Sequence, residues 1–434
     1  MKPFLFSAIA LLTLCAPHAL RGQIMSDNVK KTSAKTTTRS ATDRLYSLNG
    51  AKLLWLCDDC SSKRGALLYT ISHAFAYGLD APSGLAHVIE LLAAGPASTV
   101  SLRDKRISEA AIQFCRRLYE GDDIRGSISY DGVAASLKDQ HTDFLLQGLA
   151  AAKDSNELIQ FFQRLEPQSP EYLALKRALD SAKHNDVRQR QLKSALNYYR
   201  WFSHFHLDSF IVINIPSATL RYYKHDTLAL EMKTVVGTPA HRTPRFSAYI
   251  REVTLYPYWN MPRSILMKEW ISSFRKNPGL IDFLSMEIID GKGRKVAASA
   301  VRWRSVKRTG FPYRIREKPG CFNPMGVVKF SLTSPYDVYL HDTNFKEAFL
   351  AKNRFYSHGC IRLEQPIALA DAVLVQPVNE DFLKACFKDQ QPQSIALDHP
   401  VPLFVTYMCA ERDSTGAVRY YNDVYGLLKQ KRNP

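Results

Sequence analysis

After its first 22 residues, the chain lacks any run of about 18 apolar residues without charge, the length that a membrane-spanning helix requires. It also lacks a second pair of metal ligands at a suitable spacing from Cys57 and Cys60, which argues against a zinc site on that CxxC pair. No basic helix or aromatic nucleic-acid motif accompanies the formal net charge of +17. These absences predict a folded protein with no transmembrane helix in its mature form and no nucleic-acid partner.

The first 41 residues indicate export. Residues 1–22 combine a basic start at Lys2, a short apolar stretch and small residues near a plausible cleavage zone, as a secretory signal peptide does. A lipoprotein anchor at Cys15 is disfavoured because bulky Leu14 precedes it. Residues 23–41 are rich in Lys, Ser and Thr and predict a flexible linker. The basic residues are spread along the chain, which favours either contact with an anionic envelope polymer or a mere effect on solubility.

Cysteine usage predicts at least one free thiol. Seven of the eight cysteines remain after removal of the signal, and an odd number cannot all pair within one chain. Cys360 is the expected free thiol. Cys57 and Cys60 are expected to form a local disulfide or to be two idle thiols, since a thioredoxin-like context is absent. Cys321 is expected to be an idle buried cysteine, with redox control as the alternative.

The hydrophobic period divides the chain. Helical periodicity runs through residues 42–205 and predicts an all-helical scaffold domain. Residues 206–434 change to short strand patterns and predict a mostly-β domain. Within it, residues 260–319 form an insertion that we interpret as a lid subdomain. The fold class is therefore α+β, with the helical part first.

Two short segments of the β half carry the chemistry. His341 ends a predicted strand, and Cys360 follows 19 residues later in the run Ser-His-Gly-Cys-Ile-Arg. A histidine within hydrogen-bond reach raises the reactivity of a thiol by taking its proton. The glycine lets the backbone approach a substrate carbonyl, so that the N–H groups of Gly359 and Cys360 are candidates for an oxyanion hole. Arg362 is placed to anchor a carboxylate or to brace the loop.

This pattern resembles the signature of the L,D-transpeptidases with a YkuD-type catalytic domain, which is a His, a spacer and then Ser/Thr-His-Gly-Cys-x-Arg. Further segments resemble the large, scaffold-containing Gram-negative branch of the family, and the resemblance covers nearly the whole mature chain. These segments are residues 236–239 and 242–244, 257–265, 319–330 and 340–343, with weaker similarity around 108–120 and 161–179.

The resemblance implies a periplasmic peptidoglycan L,D-transpeptidase that needs no metal or organic cofactor. Cys360 would attack the bond between residues 3 and 4 of a stem tetrapeptide, release D-alanine and form a thioester. A diaminopimelate amine would resolve the thioester and give a 3→3 cross-link. His341 would be the general base, held through its other nitrogen by a backbone carbonyl, and carbapenems would acylate the thiol. By the same resemblance the site residues are catalytic Cys360, His341, His358 and Gly359, and substrate-binding Tyr339, Ser357 and Arg362.

One departure from the family pattern and three alternatives stay open. Residues 182–191 are too short to hold the peptidoglycan-binding module that this branch often carries, so the scaffold or the basic insertion is left to supply the contact with the cell wall. A sortase-like enzyme would place its arginine farther from the cysteine. A hydrolytic cysteine peptidase or carboxypeptidase of papain type would place its histidine after the cysteine, where only His399 stands. A binding protein with a decayed site would not keep the motif intact. The acceptor (a stem peptide, a protein lysine or water) and the oligomeric state are not fixed by the sequence.

Overall fold

The computed structural model describes residues 40–80, 85–122, 124–136, 141–306, 311–386 and 390–428. The predicted signal peptide and the predicted linker up to residue 39 lie outside the described residues.

The first half is helical, as its periodicity predicts. Three of its described helices begin at side-chain caps. Asp154, Ser169 and Asn185 accept hydrogen bonds from the N–H groups of Glu157 at 2.9 Å, Tyr172 at 3.3 Å and Arg188 at 3.0 Å. The helices are Ala41–Leu48, Ser61–Ser72, Leu85–Ala93, Val100–Glu120, Ile124–Ser127, Gly132–Ser136, His141–Ala151, Ser155–Leu165, Pro170–Ser181 and Asp186–Ser203.

The second half is mostly β. Its strands, together with a short one from the helical half, are β1 Tyr130–Asp131, β2 Ser209–Asn214, β3 Thr219–Lys224, β4 Thr227–Gly237, β5 Phe246–Leu255, β6 Trp259–Asn260, β7 Met286–Ile289, β8 Lys295–Val296, β9 Arg314–Glu317, β10 Val328–Leu332, β11 Leu340–His341, β12 Phe355–Ser357, β13 Ile361–Leu363, β14 Gln393–Thr406, β15 Ala410–Arg412 and β16 Val418–Tyr420. Its helices are Arg263–Ile265, Ile271–Lys276, Leu280–Phe283, Pro366–Val373 and Glu380–Lys384. The chain is thus an α+β protein, as the sequence predicts.

The main sheet closes on itself. Its strands follow the order β5-β10-β11-β13-β4-β3-β2-β14, and β14 also pairs with β5. Short β1 and β12 join β5 and β4 from the side. The parallel pair β11–β13 aligns Leu340 with Ile361 and His341 with Arg362. Two segments that are 20 residues apart in the chain therefore become direct neighbours in the sheet.

The described residues form three large hydrophobic cores and one small cluster of Val235, Ala348 and Phe349. One lies among the helices between Leu45 and Leu165. A second core fills the closed sheet and includes the apolar faces of helices Pro170–Ser181 and Asp186–Ser203. The ring of Trp201, in the latter helix, packs against the ring of Phe404 in β14, with 5.1 Å between the ring centroids. The two last helices of the first half thus pack with the sheet and give it a fixed support.

The insertion has the third core to itself. Its buried residues lie between Met261 and Ile315, and β6-β9-β7-β8 form its separate sheet. The sequence pattern over 264–274 predicts a helix, and the structure contains a continuous helical segment from Arg263 to Lys276, with a π-helical turn at Leu266–Trp270. Because Asn260 pairs with Arg316, both ends of the insertion leave the main sheet side by side.

Two disulfides are present, Cys57–Cys60 and Cys321–Cys386. The first confirms a local disulfide for Cys57 and Cys60, which the sequence predicts to be either disulfide-bonded or two idle thiols. The second shows that the expectation of an idle Cys321 is wrong, because a partner 65 residues away in sequence folds against it.

In the described part of the chain, no single helix has the length and hydropathy of a membrane span. Two helical segments, Leu85–Ala93 and Ala97–Glu120, have the length and hydropathy of a membrane span only when they are counted together, and a bend of 120° separates them.

Candidate active site

One cavity of about 680 Å³ brings most of the predicted site residues together. Its wall from the main sheet contains Tyr339, His341, Ser357, His358, Cys360 and Arg362. The opposite wall comes from the insertion, between Trp259 and Trp270. Gly359 is not part of the lining. The cavity is thus formed between the closed sheet and the insertion.

Cys360 is the one accessible thiol among the described cysteines. Cys115 and Cys409 are also free, but both are fully buried. Burial raises the pKa of Cys115, and it raises the pKa of Cys409 to about 12, so neither is a nucleophile at neutral pH. Cys360 is only partly buried and opens onto the cavity.

A tight turn from Ser357 to Cys360 presents the thiol. Gly359 has φ = +114°, a conformation that L side chains rarely adopt, which explains the glycine. The Ser357 hydroxyl accepts the N–H of Gly359 at 3.1 Å and donates to the carbonyl of Cys360 at 2.5 Å. Thr243 donates to the carbonyl of Gly359 at 2.8 Å from outside the turn. Four hydrogen-bonding groups of the turn are thereby fixed around the nucleophile.

This turn corrects the predicted oxyanion hole. The N–H of Gly359 is already bonded to Ser357, so it is not free to receive an oxyanion. The N–H of Cys360 has no hydrogen-bond partner within the described ranges of the chain. Of the two predicted donors, only the Cys360 N–H is available.

His341 is held as a neutral base. It is 5% exposed, and its Nδ1 lies 2.5 Å from the carbonyl oxygen of Asp342. A carbonyl oxygen only accepts, so Nδ1 carries the hydrogen and Nε2 keeps its lone pair. Burial, with the positive charges of Arg362 and Lys329, lowers the pKa of His341 to about 3. The sequence predicts such a carbonyl partner, and the structure contains it.

Asp342 fixes that carbonyl in turn. Its carboxylate accepts the N–H of Val327 at 2.9 Å and forms an ion pair with Lys346. Asp342 is 5% exposed, so its backbone has little room to move. We infer that Asp342 is a positioning residue for His341, although the sequence pattern shows it only as the neighbour of the histidine.

The resting thiol points away from the predicted base. Its recorded hydrogen bond is to the carbonyl of Asp337, at a sulfur–oxygen distance of 3.6 Å, and no bond to His341 is found among the described residues. Burial raises the pKa of Cys360, while hydrogen bonds from Tyr339 and the charges of Lys329 and Arg362 oppose that rise. The expectation of a thiolate preformed by a hydrogen bond to histidine is therefore wrong for this state, and the pair rests as neutral thiol and neutral imidazole.

The other predicted residues also have defined surroundings. Tyr339 stands between the ring of His341, 5.8 Å away, and the ammonium of Lys329, 4.6 Å above its own ring. Arg362 has a buried Nε with no hydrogen-bond partner in the described part of the chain. Since an unpaired buried guanidinium nitrogen is costly, this group is ready for an anionic ligand.

His358 contacts the insertion. Its Nε2 lies 3.2 Å from a carboxylate oxygen of Glu269, and its ring is 4.7 Å from that of His241. Sequence reasoning missed both partners. His241 lies between two segments that carry the family resemblance, whereas nothing in the sequence distinguishes Glu269 from a solvated helix residue. His358 thus joins the nucleophile turn to the wall of the insertion.

A second cavity of about 820 Å³ adjoins the first. The two share Trp259, Trp270 and Pro324, and the Cys321–Cys386 disulfide lines the second one. No group of three or more His, Cys, Asp or Glu residues within the described ranges is placed to hold a metal ion.

Comparison with known proteins identifies the type of each domain. The model of the YkuD L,D-transpeptidase catalytic domain matches residues 208–379, and the model of the Scaffold domain matches residues 40–179. Residues 208–379 thus form a catalytic domain of the YkuD L,D-transpeptidase type, and residues 40–179 form a Scaffold domain. The YkuD match contains His341, Cys360 and the whole insertion.

This chain is also similar to individual proteins that are named L,D-transpeptidase. A Haemophilus influenzae protein named "Putative L,D-transpeptidase" is 27% identical over 395 residues, which cover 89% of this chain and 78% of that protein. A solved L,D-transpeptidase from Mycobacterium smegmatis has 14% identity and a TM-score of 0.23, with 46% of this chain and 58% of that chain covered. The catalytic domain of the E. faecium L,D-transpeptidase has 16% identity and a TM-score of 0.20, with 46% and 98% covered.

Proposed function

We propose that this chain is a peptidoglycan L,D-transpeptidase that forms 3→3 cross-links through a thioester on Cys360. The observation that supports this most directly is that the accessible free cysteine and a buried neutral histidine line one cavity from adjacent parallel strands. Nucleophilic catalysis by a thiol needs this pairing of nucleophile and base. The type of the catalytic domain makes peptidoglycan stem peptides the substrate class.

In the first half-reaction, the Cys360 side chain turns from the Asp337 carbonyl toward Nε2 of His341. The sulfur attacks the carbonyl carbon between residues 3 and 4 of the stem tetrapeptide while His341 takes the thiol proton. The C–N bond then breaks, and the proton passes from His341 to the leaving D-alanine. The Cys360 N–H receives the developing oxyanion.

In the second half-reaction, the side-chain amine of a diaminopimelate attacks the thioester carbon. The C–S bond breaks, and His341 moves the proton of the amine to the leaving sulfur, which restores the neutral pair. We propose that Arg362 binds a stem carboxylate and that Tyr339 steadies the sulfur. Ser357, whose hydroxyl is engaged inside the turn, is given a positioning role instead of the predicted substrate contact.

Product analysis tests this activity. The purified full chain is incubated with disaccharide tetrapeptides, and the products are identified by mass. We expect release of D-alanine and dimers that are cross-linked 3→3. Conversion of tetrapeptide to tripeptide alone would contradict transpeptidation and establish the hydrolytic carboxypeptidase alternative, in which water is the acceptor.

The insertion is proposed to be a lid that holds the acceptor stem. It supplies one wall of the catalytic cavity and, through Trp259 and Trp270, the boundary with the second cavity. Because its core is separate and its ends pair at Asn260 and Arg316, replacing residues 261–315 with a short Gly-Ser loop should leave the closed sheet folded. We expect cross-linking to fall by about tenfold or more, since the acceptor loses its positioning, while acylation by a small β-lactam persists. Unchanged cross-linking in a folded deletion variant would contradict the lid.

We propose that the protein is exported to the periplasm. The predicted signal supports this, as do two disulfides, which form and persist in an oxidising compartment. N-terminal sequencing of the mature protein from a periplasmic fraction checks this proposal, and an intact Met1 would contradict it.

A further inference from the structure

The positive charge of the chain is concentrated in the insertion. Residues 260–319 contain 14 Lys and Arg residues and five Asp and Glu residues, a formal net charge of +9 out of +17 for the whole chain. The basic residues are spread along the chain, with 44 of the 58 outside the insertion, but more than half of the net positive charge lies within it. A small subdomain with this charge creates a strong positive potential at its surface.

The few acidic groups of the insertion neutralise little of this charge. Glu287 pairs with Lys295 and Arg316, and Asp290 pairs with Arg294. Glu269 instead contacts His358 of the nucleophile turn, at 3.2 Å. Within the described ranges, most of the other basic side chains of the insertion make no ion pair with a carboxylate.

Four of these side chains form one exposed group, which we name the basic cluster: Arg275, Lys276, Arg302 and Arg304. All four are exposed, and none makes an ion pair with another described residue. Helix Ile271–Lys276 packs on the turn Trp303–Ser305 through the rings of Phe274 and Trp303, which lie 6.1 Å apart. This packing brings the four charges together from two separate parts of the sequence.

The basic cluster lies close to the catalytic cavity. Lys268 lines that cavity, and Arg275 follows seven residues later in the same helical segment. At 1.5 Å per residue this places Arg275 roughly 10 Å farther along the axis. A polymer with one stem in the cavity would therefore run within reach of the cluster.

We propose that the basic cluster binds carboxylates of the peptidoglycan polymer next to the stem in the cavity, and so anchors the enzyme to its substrate. This inference rests on the proposed function. Stem peptides carry free carboxylates at their D-glutamate and diaminopimelate residues, and these groups complement exposed guanidinium and ammonium groups. Four unpaired cations at the surface act over about 10 Å at an ionic strength of about 0.1 M and over a longer range at lower salt, so binding should be weakened by salt. The basic cluster would thereby replace the peptidoglycan-binding module, which residues 182–191 are too short to contain.

Co-sedimentation with isolated sacculi tests the anchor. The full chain is compared with the variant Arg275→Gln/Lys276→Gln/Arg302→Gln/Arg304→Gln. We expect the variant to bind about tenfold more weakly at low ionic strength and to lose most of the salt dependence seen in the unmodified chain. Turnover of a soluble single-stem substrate should stay within about twofold, because none of the four side chains lines the cavity.

A matched control carries the same loss of charge on the helical half, as Lys52→Gln/Lys153→Gln/Arg177→Gln/Lys183→Gln. These four residues are exposed and far from the insertion in sequence. We expect this control to bind sacculi like the unmodified chain, and thermal melting shows that both variants are folded. Equal loss in both variants would overturn the inference, since net charge alone would then explain binding.

Two further arms identify the ligand. Sacculi whose carboxylates have been amidated should not retain the unmodified chain, and retention by them would overturn the proposal. Vesicles of phosphatidylglycerol and phosphatidylethanolamine should bind more weakly than sacculi, and stronger binding to vesicles would assign the cluster to a membrane surface instead. Sedimentation requires no turnover. A chain that binds sacculi through the cluster but makes no cross-link would thus contradict the proposed activity and not the anchor.

Discussion

Replacing Cys360 with alanine is expected to abolish thioester formation and cross-linking, with a loss of about 10⁴-fold or more, as for other enzymes that lose their nucleophile. The reason is structural as well as chemical. The two other free thiols, Cys115 and Cys409, are fully buried, so no substitute nucleophile reaches the cavity. Intact-mass measurement after incubation with meropenem reads out the first half-reaction directly, since a carbapenem acylates the reactive thiol.

The variant should fold normally, because the hydrogen bonds of the Cys360 sulfur, to the carbonyl of Asp337 and from Tyr339, lie at the cavity, where solvent can replace them. Cys409→Ala is the matched control, since it also removes a free thiol, and it should keep the full adduct. An adduct of wild-type yield on Cys360→Ala would remove Cys360 from the role of nucleophile. A lost adduct in the control would show that the assay reports folding instead of chemistry.

The local features of this protein are predictable from its sequence because they depend on short-range physics. Helical periodicity over residues 107–119 predicts a helix, and these residues lie inside Val100–Glu120. Asp154 and Ser169 are residue types that favour helix caps, and each caps the helix that follows it. The short motif around Cys360 likewise identifies a glycine that needs a positive φ and a thiol on a turn.

The features that the sequence does not reveal depend on contacts between distant segments. Closure of the sheet requires β14 to meet both β2 and β5, and nothing local in residues 393–406 specifies those partners. Pairing of Cys321 with Cys386 spans 65 residues, so only the folded chain shows it. The contact of Glu269 with His358 depends on how the insertion packs over the turn.

The oxyanion hole shows how a correct motif still leads to an error of detail. Sequence reasoning places the N–H groups of Gly359 and Cys360 at the site, and both are there. It cannot show that the hydroxyl of Ser357 lies 3.1 Å from the first of them. A shift of about 1 Å therefore decides whether a backbone N–H of this motif forms a hydrogen bond within the turn or donates to the substrate.

His341→Ala is expected to reduce acylation by about 10²–10⁴-fold, the range that general-base catalysis contributes. His341 is the histidine that lines the cavity from the strand next to the nucleophile, and its tautomer leaves Nε2 free to accept a proton. His399→Ala is the matched control, because this exposed residue is the one histidine after Cys360 in the sequence. The control should acylate normally, and an acylation rate for His341→Ala within about threefold of wild type would exclude the general-base role.

The pH profile of acylation separates a neutral base from a preformed ion pair. Because the pKa of His341 is lowered to about 3, the imidazole stays unprotonated as the pH falls from 8 to 5. Burial raises the pKa of the thiol, so Cys360 stays protonated over the same range and the reactive neutral pair is fully populated. We therefore expect the rate of acylation by meropenem to be flat between pH 5 and pH 8, with circular dichroism confirming the fold at each pH. A histidine that titrated at its ordinary pKa of about 6.5 would instead lose activity about tenfold per pH unit below that value, and such a decline would contradict the buried neutral base.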